Sequence, residues 1–425
     1  MRAAHATPES PYAWWRLAVS LALMTLGGAG MYGVTVVLPA IQAEFGVARG
    51  DASLPYTVTM IGFGLGGILM GRLSDRFGVM VPVLGGAVGL SLGFVAAGLS
   101  ANLWQFTLAQ GLLIGLLGTS ATFAPLVADT SRWFTRRRGI ALAICMSGNY
   151  LAGALWPPVI QHFIDSAGWR QTYVGIGVFC LLLMLPLAWV LRRPPPALPA
   201  PAPQAPVGSA TGAPSVERPL GLSPGILQIL LLVAGVSCCV AMSMPQVHIV
   251  AYCTDLGFGA ARGAEMLSIM LGMGIASRLI SGWISDHIGG LRTLLLGSVL
   301  QTVALLMFLP FDGLVPLYLI SAMFGLFQGG IVPSYALIVR EHFSPLQAGA
   351  RVGTVLMATL FGMALGGWMS GAIFDLTGSY QAAFINGIGF NLLNVAIVLF
   401  LLQRAKRSGV GLGRWPARPV AGAAA

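Results

Sequence analysis

Charged residues are scarce in this sequence. Aspartate, glutamate, lysine and arginine make up 8% of the 425 residues, whereas apolar residues make up 56% and the mean hydropathy is +0.82. A water-soluble domain carries about 25% charged residues, so this composition excludes an ordinary soluble domain. It predicts a chain that lies mostly within a lipid bilayer.

Residues that build catalytic or metal sites are also few and scattered. The chain has no phosphate-binding loop of the ATPase type, and its apolar segments contain no cluster of acids, bases and nucleophiles. The Gly62–Gly67 stretch follows no strand, so it predicts helix packing rather than a dinucleotide site. We therefore expect no enzymatic activity, no cofactor and no metal. The cysteines lack the spacing of metal ligands and are expected to be packing thiols: Cys145, Cys180, Cys238, Cys239 and Cys253.

Long apolar segments are what the sequence does have. Twelve of them are long enough to cross ~30 Å of hydrocarbon as helices, which predicts an all-α membrane protein. We number them spans 1 to 12: 14–38, 52–71, 79–99, 103–128, 138–160, 170–191, 225–249, 264–282, 291–310, 314–338, 349–372 and 381–403.

Positive charge is distributed unequally between the two sides of the predicted membrane. The side with both termini and the even-numbered connections holds 19 of the 23 lysines and arginines, and the other side holds Arg49, Arg170 and Arg262. By the positive-inside rule, both termini are cytoplasmic in a multi-pass protein of the inner membrane. Because the charges are spread over all the inner loops, we expect no nucleic-acid partner.

A segment rich in Pro, Ala, Gly, Ser and Thr interrupts the apolar pattern at 193–224. Such a composition cannot bury a core and predicts a flexible cytoplasmic linker. It divides the chain into a bundle at 1–192 and a bundle at 225–403, followed by a cytoplasmic tail at 404–425.

The same short phrase ends the second span of each half. Gly71-Arg-Leu-Ser-Asp75-Arg76-Phe-Gly78 is repeated as Gly282-Trp-Ile-Ser-Asp286-His287-Ile-Gly289. The spacing puts each Gly and Asp on one helix face, where the Gly lets a neighbouring helix approach and the carboxylate can pair with an arginine. The repeat predicts two pseudo-symmetric six-helix bundles, the usual build of secondary transporters. We expect Gly71, Asp75, Arg76, Gly282 and Asp286 to regulate closure of the inner face.

This phrase resembles the loop motif of the major facilitator superfamily, and the resemblance covers essentially the whole chain. The family version continues with Arg or Lys after the last Gly, whereas this chain has Val79 and Met80 in the first half. A second repeat supports the alignment, since Pro125 and Arg132 correspond to Pro333 and Arg340.

A longer phrase into span 5 resembles the signature of the monocarboxylate transporters. It runs from Trp133 through three arginines to Ala141-Leu-Ala-Ile-Cys145-Met-Ser-Gly148. The acidic-Gly-aromatic signature of that family is absent, because span 1 begins Pro11-Tyr-Ala-Trp-Trp15. The stretch from Tyr32 to Gly46 is similar to bacterial members, including the oxalate/formate exchanger branch.

The remaining arginine, Arg278, lies deep inside an apolar span. A guanidinium at this depth is costly and faces a water-filled cavity or a partner, and its fork can hold a carboxylate with two hydrogen bonds. The resemblance implies that an arginine here binds the substrate carboxylate; a structural arginine is the alternative. The family often has an Asp four residues earlier, where this chain has Gly274. Span 11 from Val352 to Ala372 has no second cation, which suits a monoanion.

His248, near the outer end of span 7, is the candidate proton carrier, because histidine changes charge near neutral pH. The alternative for His248 is a structural hydrogen bond. Other polar residues of the spans expected to line a cavity are candidate substrate ligands or helix-packing groups: Tyr32, Thr35, Asn149, Tyr150, Gln246, Gln328 and Tyr335.

These features together predict a secondary active transporter that moves a small organic monocarboxylate by alternating access and functions as a monomer. Proton symport is left open. A proton-driven exporter of a drug or another solute is the alternative, although Gly148-Asn-Tyr-Leu-Ala-Gly153 stands where exporters have Gly-Pro-x-x-Gly-Gly. A transporter-like sensor is a further alternative. The acid, the direction and the coupling ion are not specified by the sequence.

Overall fold

The computed structural model describes residues 9–195 and 219–407. Within these ranges the chain forms helices and turns but no strand, and twelve helical spans are long and apolar enough to cross a membrane. The predicted all-α membrane class and the number of spans are confirmed. Most of the predicted linker and of the predicted tail lies outside the described residues.

The observed spans keep the numbers used above and extend beyond most of the predicted bounds, because the helices continue past the apolar stretch. They are Pro11–Phe45, Arg49–Phe77, Met80–Gly98, Leu103–Trp133, Arg138–Ala167, Trp169–Val190, Pro224–Asp255, Ala260–Ile288, Gly290–Met307, Leu314–His342, Gln347–Thr377 and Tyr380–Arg407.

Three spans are interrupted. Span 1 consists of Pro11–Gly27 and Ala29–Phe45, and span 10 of Leu314–Gln328 and Ile331–His342. Span 4 passes through a π-helical segment, Ala109–Thr119, before its last helix, Ala124–Trp133. Glycine occurs at two of these breaks, at Gly28 and at Gly329-Gly330, where the regular helical ladder stops.

The repeated phrase ends in the same way in both halves. Gly78 follows span 2 with a φ of +82°, and Gly289 follows span 8 with a φ of +83°. A residue with a Cβ rarely adopts this backbone conformation. The final glycine of each copy is therefore needed to turn the chain into the next span.

Two compact units describe the packing. Of the described residues, unit 1 comprises 9–195, Ser243–Gly272 and Met363–Ala383, and unit 2 comprises 219–242, Met273–Gly362 and 384–407. Unit 1 thus contains the first six spans together with parts of spans 7, 8, 11 and 12. The predicted division at the linker follows the chain rather than these packing units, and it stays a prediction.

Within unit 1, spans 2 and 4 approach closely through glycine. A Cβ on Gly62 would lie 3.0 Å from the backbone N of Leu116, and a Cβ on Gly66 would lie 2.5 Å from Ser120 Oγ. This contact with the π-helical segment is the kind of helix packing that the Gly62–Gly67 stretch predicts.

The ion pairs of Arg16 and Arg170 link helices within unit 1. The Arg16 guanidinium holds Asp129 with two hydrogen bonds of 2.7 and 3.0 Å and also donates to the carbonyl oxygen of Leu191. Arg170 donates twice to Glu44 and twice to backbone carbonyl oxygens of Gly98 and Ser100. The first cluster joins spans 1 and 4 to the end of span 6, and the second joins the end of span 1 to the start of span 6 and the loop after span 3.

Unit 2 contains a buried polar network of its own. Asn394 donates to Ser298 Oγ over 2.8 Å, and Asn391 donates to the Ser298 carbonyl oxygen and to Thr302 Oγ1, both over 2.8 Å. These side chains join spans 9 and 12. Inside a bilayer such hydrogen bonds satisfy polar groups that hydrocarbon cannot.

Candidate functional site

Arg278 is half-buried in the middle of span 8. The end of that helix, Ile288, lies ten residues further on, which is about 15 Å of helical rise. The Arg278 Nε atom is buried. Leu271 is seven residues earlier, so the two side chains share one helix face. The membrane depth of Arg278 and its role in carboxylate binding stay predictions.

The predicted ligands of spans 1 and 5 lie in unit 1. Tyr32, Thr35 and Tyr150 are buried, and Asn149 is half-buried. A Cβ on Gly153 would lie 2.8 Å from Tyr32 Cζ, so the tyrosine ring packs on span 5 at a glycine. Thr35 donates to the Tyr32 carbonyl oxygen over 2.8 Å, which gives its hydroxyl a structural partner.

The remaining predicted ligands are also buried. Gln246 belongs to unit 1, whereas Gln328 and Tyr335 belong to unit 2 and are fully buried. The Tyr335 hydroxyl donates to Asn394 Oδ1 over 2.8 Å, and this makes it part of the polar network of unit 2. The substrate role of each of these side chains stays a prediction.

The first copy of the repeated motif forms an ion pair at the predicted inner face. Arg132 donates to Asp75 over 3.0 Å, with both side chains exposed, and Arg76 stacks near Phe77. A Cβ on Gly71 or on Gly282 would meet no described atom within 4 Å. In this conformation these glycines therefore do not provide the close helix approach that the sequence suggests. The gating role of Asp75 and Asp286 stays a prediction.

The loop before span 5 is held by the chain's N-terminal part. The Glu9 carboxylate accepts hydrogen bonds from the backbone N–H groups of Arg137, Arg136 and Thr135. These bonds, that to Arg137 foremost, lower the pKa of Glu9. The basic phrase of the monocarboxylate-type signature is thereby fixed to the start of span 1.

The opposite ends of the helices carry a second cluster, which we call the Arg49 lock: Gln42, Arg49, His248, Asp255, Asp375 and Tyr380. All of its members belong to unit 1. The Arg49 guanidinium binds the Asp255 carboxylate through both terminal nitrogens and donates to Gln42 Oε1 over 2.9 Å. It also lies 4.3 Å from the centre of the Phe374 ring, a cation–π distance. Span 2 is thereby fixed to the end of span 7.

The lock also holds the start of span 2 against the end of span 11. The Asp375 carboxylate accepts the backbone N–H groups of Arg49 and Gly50 over 2.8 and 2.7 Å. An acidic side chain at a helix N-terminus satisfies unpaired N–H groups and interacts favourably with the helix dipole. Two glycines permit this approach, because a Cβ on Gly50 would lie 3.2 Å from Ala372 Cα and one on Gly371 would lie 2.8 Å from the Arg49 carbonyl oxygen.

His248 is completely buried within this lock. Its Nε2 atom lies 2.8 Å from the Gly367 carbonyl oxygen and its Nδ1 atom 3.0 Å from the Tyr380 hydroxyl. The sequence places His248 near the outer end of span 7, and the structure gives it the hydrogen-bonded partners that the structural alternative requires. Its role as a proton carrier stays a prediction.

No sequence pattern pointed to a site formed by Arg49, Asp255, Asp375 and Tyr380. The sequence offered one signal, because only three cations lie on the predicted outer side: Arg49, Arg170 and Arg262. In the structure each of them forms an ion pair with an acid. The Arg49–Asp255 pair could not be predicted from the sequence, because the two residues are 206 positions apart.

The fold and the membrane spans define a multi-pass membrane protein. The model of the Major Facilitator Superfamily matches residues 19–320, and the chain belongs to this family. Its members are transporters of small molecules rather than enzymes, which confirms the transporter class.

Individual relatives are also named as transporters. The chain is 27% identical over 334 residues to monocarboxylate transporter 13 of Bos taurus, covering 77% of this chain and 75% of that protein. It is 28% identical over 427 residues to monocarboxylate transporter 11 of Homo sapiens, covering 94% and 84%. A crystal structure of the peptide transporter POT in complex with sulfate has a TM-score of 0.73, with 14% identity over 95% of this chain and 97% of that one. That likeness concerns the fold.

Proposed function

We propose that this protein transports a small organic monocarboxylate across the cytoplasmic membrane by alternating access. The observation that carries the proposal is a half-buried arginine inside span 8, Arg278, on a helix whose other charged groups lie toward its two ends. A guanidinium there can hold a carboxylate through two parallel, charge-assisted hydrogen bonds. The relatives named monocarboxylate transporters support the substrate class.

Further parts of the proposal rest on the sequence. The protein functions as a monomer, and its two six-helix bundles rock about the site. Both termini are cytoplasmic. Asp75 and Asp286 regulate closure of the inner face, and a proton accompanies the anion with His248 as its carrier. Hydrogen-bonding side chains complete the binding site: Tyr32, Thr35, Asn149, Tyr150, Gln246, Gln328 and Tyr335.

Uptake by reconstituted protein tests the substrate class. Purified protein in proteoliposomes is given labelled lactate, pyruvate, formate, acetate, short hydroxy acids and oxalate, with and without an inward proton gradient. We expect saturable uptake of a monocarboxylate and stimulation by the gradient. Absence of uptake of every acid by folded protein would contradict the proposal and favour an exporter of another solute; binding without flux would favour a sensor.

Substitution of Arg278 by lysine tests the binding residue. Arg278→Lys keeps the charge but loses the planar fork, and losing one hydrogen bond to a charged group costs about 1.5–3 kcal/mol. Uptake of the acid at low concentration should therefore fall by roughly 10- to 100-fold. Arg262→Lys is the matched control, because Arg262 lies on the same span in an exposed pair with Glu265. Uptake by Arg278→Lys equal to that of the control would reject the carboxylate-binding role.

A further inference from the structure

The hydrogen bonds of His248 fix its tautomer. The Gly367 carbonyl oxygen, 2.8 Å from Nε2, can only accept a hydrogen bond, so Nε2 carries the proton. In a neutral imidazole the other nitrogen, Nδ1, is then an acceptor. The Tyr380 hydroxyl, 3.0 Å away, must be its donor.

The same hydroxyl continues the chain to Arg49. Arg49 donates from Nη1 to the Tyr380 oxygen over 2.9 Å. With a neutral His248 the hydrogen bonds run in one direction, from Arg49 to Tyr380 to His248 to Gly367, and each of these donors has an acceptor. The side chains of Arg49, Tyr380 and His248 are buried, so no bulk water replaces a bond that is lost.

A proton on Nδ1 disrupts this order. The Tyr380 oxygen would then face N–H donors from two cations, the imidazolium and the guanidinium, and its own hydrogen would lose its acceptor. Two like charges would share one phenol oxygen within a buried cluster.

The other charged groups of the cluster respond to the same proton. Asp255 lies on the same span as His248, Asp375 lies at the end of span 11, and Arg49 lies on span 2. The titratable hydroxyls nearby belong to Tyr252 and Tyr380, whose ring centres are 5.5 Å apart. In the present arrangement the Arg49 guanidinium donates to Asp255, and the backbone N–H groups of Arg49 and Gly50 donate to Asp375. A protonated ring competes with Arg49 for these counterions.

We propose that protonation of His248 releases the Arg49 lock, so that this end of the protein opens as the pH falls. The proposal deepens the proton-coupling part of the proposed function, because it states what the proton does in the structure. It requires no bound substrate, and it holds whichever acid is transported.

A buried reporter cysteine measures opening directly. Ser53 is fully buried in span 2, and its Oγ would lie 2.9 Å from a Cβ on Gly371 of span 11. The full-length Ser53→Cys protein in nanodiscs, without substrate, is labelled with dithiodipyridine between about pH 8 and about pH 5. Its labelling rate is divided by that of Ser166→Cys, an exposed position, to remove the pH dependence of the reagent. The unsubstituted protein, whose five cysteines are buried, supplies the blank.

We expect the rate ratio to rise by roughly tenfold on acidification, within the usual range of coupling between two sites. When His248→Gln is added to the Ser53→Cys protein, the labelling rate ratio should stay low at every pH. The glutamine amide can donate to Gly367 and accept from Tyr380, but it does not titrate. In Tyr380→Phe the ratio should be raised and insensitive to pH, since the link to Arg49 is absent.

The proposal would be overturned if the labelling rate ratio of the Ser53→Cys protein did not rise on acidification. It would also be overturned if the ratio rose equally with His248→Gln added. If His248→Gln fails to fold, a pH-dependent rise that persists in Tyr380→Phe overturns it instead. The labelling result is independent of uptake. Failure to transport any acid would contradict the proposed function and leave the lock standing, and a pH-insensitive lock would leave the monocarboxylate proposal standing.

Discussion

Buried arginines in unit 1 are stable because oxygen atoms surround each guanidinium. Arg16 is paired with Asp129 and a backbone carbonyl, whereas Arg49 is paired with Asp255, Gln42 and Tyr380. A charge taken out of water without such partners costs several kcal/mol. The two residues nevertheless differ in function: Arg16 joins spans of the first half, and Arg49 joins a first-half span to three second-half spans.

Removing one member of the Arg16–Asp129 pair should destabilise the protein strongly. Arg16→Met leaves a buried carboxylate without its cation, a change that costs about 3–5 kcal/mol. We expect a large fall in the Tm of the purified protein, and recovery of most of it in the Arg16→Met/Asp129→Leu double variant. Glu265→Gln, which removes an exposed pair, should change stability by about 1 kcal/mol or less. Equal losses in Arg16→Met and Glu265→Gln would contradict this assignment.

At the scale of helices, glycine determines how closely two spans approach. Gly66 of span 2 faces the π-helical segment of span 4, whereas a Cβ on Gly85 of span 3 would meet no described atom within 4 Å. Glycine at position 66 therefore permits a close helix contact, whereas glycine at position 85 makes no such contact and only lowers the helix propensity of span 3.

Alanine at these two positions should have opposite effects. Gly66→Ala forces a Cβ against Ser120 and the carbonyl oxygen of Leu116, and overpacking of this kind costs about 1–3 kcal/mol. Gly85→Ala adds no contact and should stabilise its helix by about 0.5–1 kcal/mol. Thermal unfolding of both purified variants measures the difference. A Gly66→Ala protein as stable as Gly85→Ala would show that spans 2 and 4 are not closely packed there.

Over the whole molecule, the two ends of the helices carry different electrostatics. At one end, the Arg49 lock buries an ion pair and a capped helix terminus. At the other, Asp75 and Arg132 form an exposed pair in a region rich in arginine. An exposed pair contributes about 0.2–1 kcal/mol to stability. A conservative substitution of Asp75 can therefore change the transport rate without a large change in the stability of the protein.

Asp75→Asn should leave Tm nearly unchanged but slow transport by roughly fivefold or more, because the proposed role of the carboxylate is to favour one conformation. Asp286→Asn should behave alike, as the equivalent position of the repeat. Uptake rates and thermal unfolding are measured on the same preparations, with Glu265→Gln as the control. Normal uptake by both aspartate variants would exclude the gating role.

The sequence by itself determined the class of the protein, the number of spans and the internal repeat. These properties depend on local quantities: the apolar length that a bilayer requires, and short phrases that repeat. It also pointed to Arg278 and His248, because a charge or a titratable ring within an apolar segment is visible without any contact being known.

Only the tertiary structure decided which polar groups meet. Asp375 caps span 2 from 326 positions away, and Tyr335, a candidate substrate ligand or helix-packing group, donates to Asn394. Asp255 and Asp375 look like ordinary helix-end acids in the sequence. Their partners depend on how distant spans pack, and no local pattern of hydropathy or charge encodes that pairing.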